Sequence, residues 1–235
     1  MRLAIFTDIH GNIQALNSIL KDIKKRDVDL IISLGDVIGL GPSSNECMDK
    51  INSLDNIIKI AGNHELYYTK GVDKGHVIND NILEYNKWVH KHIKCDVDDS
   101  RLDYLIEHNN KKLYFTHYFL RDSEYPFESS KIFETDEYKK IFDKYNYDYV
   151  FYGHRHKERI DEYNNNLYYG LDSSGCTKDD NTFYLLIDLD KDITIEKINL
   201  KYDRKTFEKV INNIDFPDQE HICDYFFGIK KSANN

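Results

Sequence analysis

The sequence predicts an α/β fold, and three observations predict it. First, short apolar runs recur, and each stops at a polar cluster. Arg2-Leu3-Ala4-Ile5-Phe6-Thr7 ends in Asp8-Ile9-His10-Gly11-Asn12, and Asp29-Leu30-Ile31-Ile32-Ser33-Leu34 ends in Gly35-Asp36-Val37-Ile38-Gly39. Second, segments with helical spacing follow these first two runs, which is the alternation of βαβ units. Third, the clusters Gly62-Asn63-His64-Glu65, Thr116-His117 and Gly153-His154-Arg155-His156 also stand after apolar runs. In open α/β sheets, ligands bind beyond the carboxyl ends of strands, so these clusters are expected along one rim.

The elements follow in chain order. Arg2 to Thr7 is the first strand. Asn12 caps a helix from Ile13 to about Lys25, with Ile13, Leu16, Ile19, Leu20 and Ile23 at helical spacing. The run to Leu34 is the second strand. Ser43-Ser44-Asn45-Glu46 reads as a capping box ahead of a helix carrying Cys47, Ile51 and Leu54. Asp80 to His92 is expected to be helical, with Ile82, Tyr85, Val89 and Ile93 on one face, and Ser100 to Glu107 to be a shorter helix. Leu113 to Thr116 is a strand, Glu134 to Tyr145 a helix, and Tyr149 to Tyr152 a strand. The chain then reads β, at Leu167–Gly170, Thr182–Asp188 and Ile193–Leu200, with Asp190-Lys191-Asp192 as the hairpin turn. Arg204 to Asn213 is expected to be a terminal helix. Residues 1–230 are expected to form one domain and residues 231–235 a disordered tail.

Bulk properties narrow the function. At 235 residues the chain is long enough to bury a core, and no apolar run approaches the ~20 residues of a membrane helix. The first residues open into a strand, so no signal peptide is expected and the compartment is expected to be the cytoplasm. Cys47, Cys95, Cys176 and Cys223 show no metal-ligand spacing and are expected to be reduced, small buried hydrophobes. A net charge of −9 argues against a general nucleic-acid binder, which needs a basic face. The same charge repels an anionic substrate unless a local positive site overcomes it.

The clusters supply such a site. Divalent first-row metals at hydrolytic centres take imidazole and carboxylate ligands, with a carbonyl oxygen tolerated. Asp8 and His10 project to one side as alternate residues of an extended segment, and so do His154 and His156. Two such pairs on separate strand ends can grip one ion. Asp36 has two oxygens and can bridge two ions, and Asn63 and His117 supply neutral donors for the second. Two divalent cations against two carboxylates and a hydroxide leave net positive charge, which an acidic protein needs to hold a phosphate. His64 has no evident ligand duty beside Asn63 and can donate a proton to a leaving oxygen.

Taken together, Asp8-Ile9-His10, Gly35-Asp36, Gly62-Asn63-His64-Glu65, His117 and Gly153-His154-Arg155-His156 resemble the motif series of the calcineurin-like metallophosphoesterase superfamily. Gly39-Leu40-Gly41-Pro42 with Asn45-Glu46-Cys47 further resembles its small prokaryotic phosphodiesterase-like branch. The resemblance implies a four-layer αββα sandwich of two mixed β-sheets flanked by helices. It implies two divalent metal ions, manganese first, with iron, zinc, nickel and magnesium as alternatives. Asp8, His10, Asp36 and His156 would bind one ion; Asp36, Asn63, His117 and His154 would bind the other. A metal-bridging hydroxide would attack phosphorus in line, Asp36 and His64 would be catalytic, and Asn63 would contact the substrate; Arg155, outside the resemblance, is read either as a phosphate contact or as an exposed side chain paired with an acid. The substrate would be a phosphorylated small molecule or nucleotide, as diester or monoester.

Two departures bear on substrate class. Arg155 stands where the family commonly has threonine. Leu171-Asp172-Ser173-Ser174-Gly175-Cys176 replaces the Asn-Pro-Gly-Ser of many small relatives and looks closer to the Asp-Thr-Gly-Cys of protein phosphatases and diadenosine tetraphosphatases. A diadenosine polyphosphate hydrolase, a serine/threonine protein phosphatase-like enzyme and a non-catalytic metal-binding scaffold are therefore the alternatives. The aromatic group Tyr118, Phe119, Tyr125 and Phe127 has two readings, core packing or a wall for a nucleoside base. The helical stretch 67–108 also has two, a cap over the site or an interface in a homo-oligomer.

Overall fold

The first apolar run forms β1 (Arg2–Phe6), and its alternate side chains serve two different cores. Leu3 and Ile5 face a second sheet, while Ala4 and Phe6 face helices. This is the period-two pattern of a strand covered on both sides. The structure is a computed structural model that describes residues 1–72, 80–118, 139, 142 and 144–230.

The chain continues through α1 (Ile13–Ile23), β2 (Leu30–Ser33), α2 (Ser44–Asn52), β3 (Ile57–Lys59), α3 (Asn63–Lys70) and α4 (Asp80–His92). The hairpin β4 (Asp103–His108) and β5 (Lys111–Thr116) follows, then β6 (Tyr149–Tyr152), β7 (Arg159–Tyr163) and β8 (Asn166–Gly170). The chain then forms β9 (Asn181–Leu189), β10 (Ile193–Lys201), α5 (Arg204–Asn212) and α6 (Gln219–Phe227). One five-stranded sheet has the order β10-β9-β1-β2-β3 and the other β4-β5-β6-β8-β7. Both are mixed: β1, β2 and β3 run parallel, as do β5, β6 and β8, and the flanking strands are antiparallel.

The sheets pack face to face. Leu3, Ile5, Ile32, Leu185 and Ile187 of the first meet Leu113, Phe115, Phe151 and Tyr169 of the second in one buried cluster. Helices cover the outer face of the first sheet, where Leu16, Ile19, Met48, Val89, Phe207 and Phe227 are buried. On the outer face of the second, Leu66 of α3 packs with Tyr118, Phe142, Val150, Tyr152 and Tyr168. This is the αββα layering that the family resemblance implies. No helix among the described residues is long and apolar enough to cross a membrane.

Most expected elements are present within a residue or two, and the differences have physical reasons. Residues expected as a helix from Ser100 to Glu107 instead form β4, paired antiparallel with β5 from Asp103 opposite Thr116 to His108 opposite Lys111. The tell is the two-residue turn Asn109-Asn110, with φ of 48° and 62°, which is the left-handed pair of a tight hairpin. Alternation of half-buried Tyr104 and Ile106 with exposed Asp103, Leu105 and Glu107 agrees with it. Ser43 makes no side-chain cap bond; Ser44 Oγ accepts from the Gly39 N–H instead, at 3.0 Å. Asn12 does cap α1, its Oδ1 accepting from the Ala15 N–H at 3.0 Å. β7 and α6 have no counterpart in the sequence expectation. Most of the expected helix Glu134–Tyr145, the aromatics Phe119, Tyr125 and Phe127, and the tail 231–235 lie outside the described residues.

Two devices hold the strand ends in register. Beyond the last ladder bonds, the turns after β1 and β2 are joined by Asp8 N–H to Gly35 O (3.0 Å), His10 N–H to Asp36 O (2.9 Å) and Gly11 N–H to Val37 O (2.9 Å). The buried Glu65 then clasps the second turn to α3. One carboxylate oxygen accepts from Val37 and Ile38 N–H, at 2.8 and 3.2 Å, and the other from Asp36 and Gly62 N–H, both at 2.8 Å. Burial and the neighbouring Asp36 charge push the Glu65 pKa up to about 7, while these donors pull against that.

Two stability outcomes follow. Glu65→Gln turns an amide donor toward backbone N–H groups, and losing one charge-assisted bond costs about 1.5–3 kcal/mol. The midpoint of urea unfolding should fall accordingly, and an unchanged midpoint contradicts the clasp. Asn110→Val places a β-branched residue in the left-handed region and should cost about 1–2 kcal/mol with the urea m-value unchanged; equal stability contradicts the hairpin.

Candidate metal centre

Each parallel strand delivers polar residues to one rim. β1 ends before Asp8 and His10, β2 before Asp36, β3 before Asn63 and His64, β5 at His117, and β6 before His154 and His156. Asp8, His10, Asp36, His154 and His156 all have positive φ, of 53°, 47°, 52°, 72° and 48°. Non-glycine residues there are uncommon and carry strain that clusters at functional sites. The strain turns each side chain off the strand direction and into a common centre.

The donor atoms converge closely. His10 Nε2 and His156 Nε2 are 3.0 Å apart, and both approach Asp8 Oδ1, at 3.6 and 3.1 Å. On the other side, Asn63 Oδ1 lies 2.8 Å from His154 Nδ1 and 3.3 Å from His117 Nε2. Asp36 Oδ2 stands between the two sets, 3.2 Å from His117 Nε2 and 3.7 Å from His10 Nε2. Donors sharing one ion through bonds of about 2.1 Å sit roughly 3.0–3.4 Å from one another, so the spacing fits cations. His64 is the remaining member: its ring, His10 and Asp36 each offer a ligand atom within 4.8 Å of the others.

The surroundings orient these groups. His10 Nδ1 faces Ile38 O at 3.2 Å and His117 Nδ1 faces Leu34 O at 2.8 Å, so each Nδ1–H donates outward and turns Nε2 toward the centre. Asp8 Oδ2 accepts from Thr7 Oγ1 (2.6 Å) and the His154 N–H (3.0 Å), leaving Oδ1 to the histidines. Asp36 Oδ1 likewise accepts from the His64 N–H at 2.9 Å, leaving Oδ2. That contact requires glycine at 62, because a Cβ there would lie 2.2 Å from Asp36 Oδ1. Gly62 is the cap residue of α3, and the Asn63 amide oxygen is left to face the centre.

The charge balance also calls for a cation. Asp8 and Asp36 are fully buried, and among the described residues no lysine or arginine pairs with either. Burial opposes their ionisation. His156 and His117 beside Asp8, and His117 and His64 beside Asp36, outweigh it and hold both carboxyls well below the usual range. Burial also opposes charge on His117, yet Asp36 and Asp8 raise it to about 9; burial wins at His154 and His64, lowered to about 3 and 4. Two buried carboxylates thus recruit protons onto neighbouring imidazoles, in the positions that cations would take.

All seven residues expected as ligands are brought together. Arg155 is exposed, between two half-buried histidines. Tyr118 is buried and its ring contacts those of His117 and His154, at 5.1 and 5.2 Å between centroids, so core packing describes it. Three residues at the site were not assigned there from sequence. Glu65 anchors the Asp36 turn. Phe226 of α6 sets its ring 5.7 Å from that of His156. Cys176 is half-buried beside His10 and His156, unlike buried Cys47 and Cys223. For Cys176 the signal was available, since it too follows a strand, β8. For Phe226 it was not, because one aromatic within the run Tyr225-Phe226-Phe227 reads as core.

Comparison with known proteins agrees with the geometry. The calcineurin-like phosphoesterase family matches residues 1–158. An uncharacterized protein of Methanocaldococcus jannaschii, MJ0912, is 31% identical over 242 residues, covering 90% of this chain and 92% of its own. Among solved structures, the hypothetical protein PH1004 from Pyrococcus horikoshii OT3 superposes with a TM-score of 0.72 at 17% identity, covering 98% of this chain and 99% of its own. A metallophosphoesterase from Sphaerobacter thermophilus gives 0.66 at 17%, covering 93% and 96%. At that identity, the two structures speak to the fold alone. With its fold, its motif series and a family match over two-thirds of its length, the chain belongs to the calcineurin-like phosphoesterases, metal-dependent enzymes that hydrolyse phosphoesters.

Proposed function

We propose that residues 1–230 act as one catalytic domain that hydrolyses phosphoesters, diesters or monoesters, of small molecules or nucleotides, using two divalent cations, with Mn²⁺ as the activating metal. The observation that carries the two-cation reading is the place of Asp36 Oδ2 between two donor sets, 3.2 Å from His117 Nε2 and 3.7 Å from His10 Nε2. Asp8, His10 and His156 with Asp36 fit one cation, and Asn63, His117 and His154 with Asp36 fit the other. When bound, such cations supply Lewis acidity toward phosphoryl oxygens and a water acidic enough to attack phosphorus at neutral pH.

The chain's own residues do the rest. Asp36 and Asp8 lend their charge to the cations and are held in place by the His64 and His154 backbone N–H groups. Asn63, and Arg155 as an exposed guanidinium suited to phosphate, are the substrate contacts in this reading. His64 is neutral in the free chain, its pKa lowered to about 4 by burial. A phosphoryl charge beside it favours the protonated ring, which then gives its proton to the leaving oxygen. The net positive charge of a loaded centre offsets the repulsion of a −9 chain for an anionic substrate.

Folded protein with Mn²⁺ should hydrolyse bis-p-nitrophenyl phosphate, and Asp36→Asn should lower turnover by about a hundredfold or more while leaving the fold intact by circular dichroism. Absence of turnover with every divalent metal tried, or full activity of Asp36→Asn, removes this reading. His64→Ala should separate leaving groups. An alkyl ester needs a proton and should lose about 10²–10⁴ in kcat, whereas p-nitrophenolate leaves unaided and should lose about tenfold at most. Equal losses on both esters would show that His64 acts as a ligand. A panel of dinucleoside polyphosphates, phosphopeptides and cyclic nucleotides decides among substrate classes.

A further inference from the structure

Cys176 stands at the His10–His156 side of the rim, where neither motif nor family match assigns a ligand. Its Sγ and one ring nitrogen of each histidine all lie within 4.8 Å of one another. The sulfur is held there by construction. Ser173 Oγ accepts from the Cys176 N–H at 2.7 Å and donates to Asp8 O at 2.7 Å. Ser174 N–H bonds Thr7 O at 3.0 Å, Gly175 N–H bonds Asp8 O at 3.1 Å, and Asn12 Nδ2 donates to Gly175 O at 2.8 Å. Gly175 presses so tightly on the Asp8–His10 turn that a Cβ there would lie 1.9 Å from Ile9 O. The loop after β8 is therefore clamped onto the turn that carries Asp8 and His10, and the clamp presents a thiol to that half of the centre.

We infer that Cys176 is a sulfur donor to the cation held by Asp8, His10 and His156. The inference rests on the metal-centre reading and sharpens it. Binding replaces the S–H bond by a metal–sulfur bond, and the proton leaves to solvent. A thiolate is a soft ligand that favours zinc, iron(II) or cobalt(II) over manganese or magnesium, while the other half, with amide oxygen, imidazole and carboxylate alone, keeps its tolerance for harder ions. The two positions of one centre thereby differ in preference.

Cobalt spectroscopy on the full-length, metal-stripped chain tests this. Titration with Co²⁺ should give visible d–d bands together with a near-ultraviolet sulfur-to-cobalt charge-transfer band. Cys176→Ser should keep the d–d bands, lose the charge-transfer band, and bind Zn²⁺ about 10–100-fold more weakly. Cys95→Ser, which changes the other half-buried cysteine, should keep both bands. Should Cys176→Ser fail to fold, zinc X-ray absorption of the wild-type chain decides alone, through a sulfur neighbour at about 2.3 Å. Visible d–d bands in the wild type without charge transfer, or a zinc shell of nitrogen and oxygen alone, overturn the role of Cys176 and leave the metal centre standing. Failure of the wild type to bind Co²⁺ or Zn²⁺ at all overturns both.

Discussion

Three backbone hydrogen bonds that run past the end of the β1–β2 ladder carry the architecture of this site. Asp8, His10 and Gly11 donate to Gly35, Asp36 and Val37, so two loops that would otherwise splay apart are laced together just where the sheet stops. Lacing them forces Asp8, His10 and Asp36 into the left-handed region, at a cost of about 1–2 kcal/mol for each. The cross-bonds, the Glu65 clasp on the second turn and the Ser173–Cys176 clamp on the first offset that cost. Asp8 and His10, like His154 and His156, thus converge through left-handed turns and not through the alternation expected of an extended segment.

Electrostatics depends on the same lacing. Two carboxylates held in a dry interior are unfavourable without positive charge nearby, and the second sheet brings imidazoles to them in place of lysine or arginine. Imidazole can carry a proton or surrender its lone pair to a metal, so the cluster tolerates both the loaded and the empty condition. An ammonium or guanidinium would neutralise the carboxylates permanently and occupy the space a cation needs. The preference for histidine here is thus a matter of reversibility as well as charge.

Much of this was legible in the sequence, for identifiable reasons. The converging residues Asp8, His10, Asp36, Asn63, His117, His154 and His156 could be read because each follows a strand whose apolar run stops abruptly, and a stop in hydrophobicity survives without a structure. Helices α1 and α4 could be read from their spacing. The strand β4 could not be read as easily, since Tyr104, Leu105 and Ile106 are consecutive apolar residues and fit either period; the Asn109-Asn110 turn was the deciding signal. Glu65 was visible as a motif residue, but its clasp on four N–H groups depends on where the turn after β2 meets the start of α3. Phe226 reaches His156 only because α6 folds back on the sheet, a relation between residues far apart in the chain that no local pattern encodes.

The order of strands within the first sheet also sets the order in which the site can come into being. β1 lies in the middle of its sheet, yet one of its neighbours is β9, with Ala4 opposite Leu186. A chain emerging from the ribosome therefore makes Asp8 and His10 well before β9, and leaves one edge of their strand open until some 180 residues later. Such pairings close slowly, because the loop entropy must be met before any contact rewards it. In the interval, an apolar strand with unpaired N–H and C=O groups is open to other chains. The nascent protein's exposure to aggregation and the late assembly of its reactive centre thus have one origin, the long return of β9 to β1.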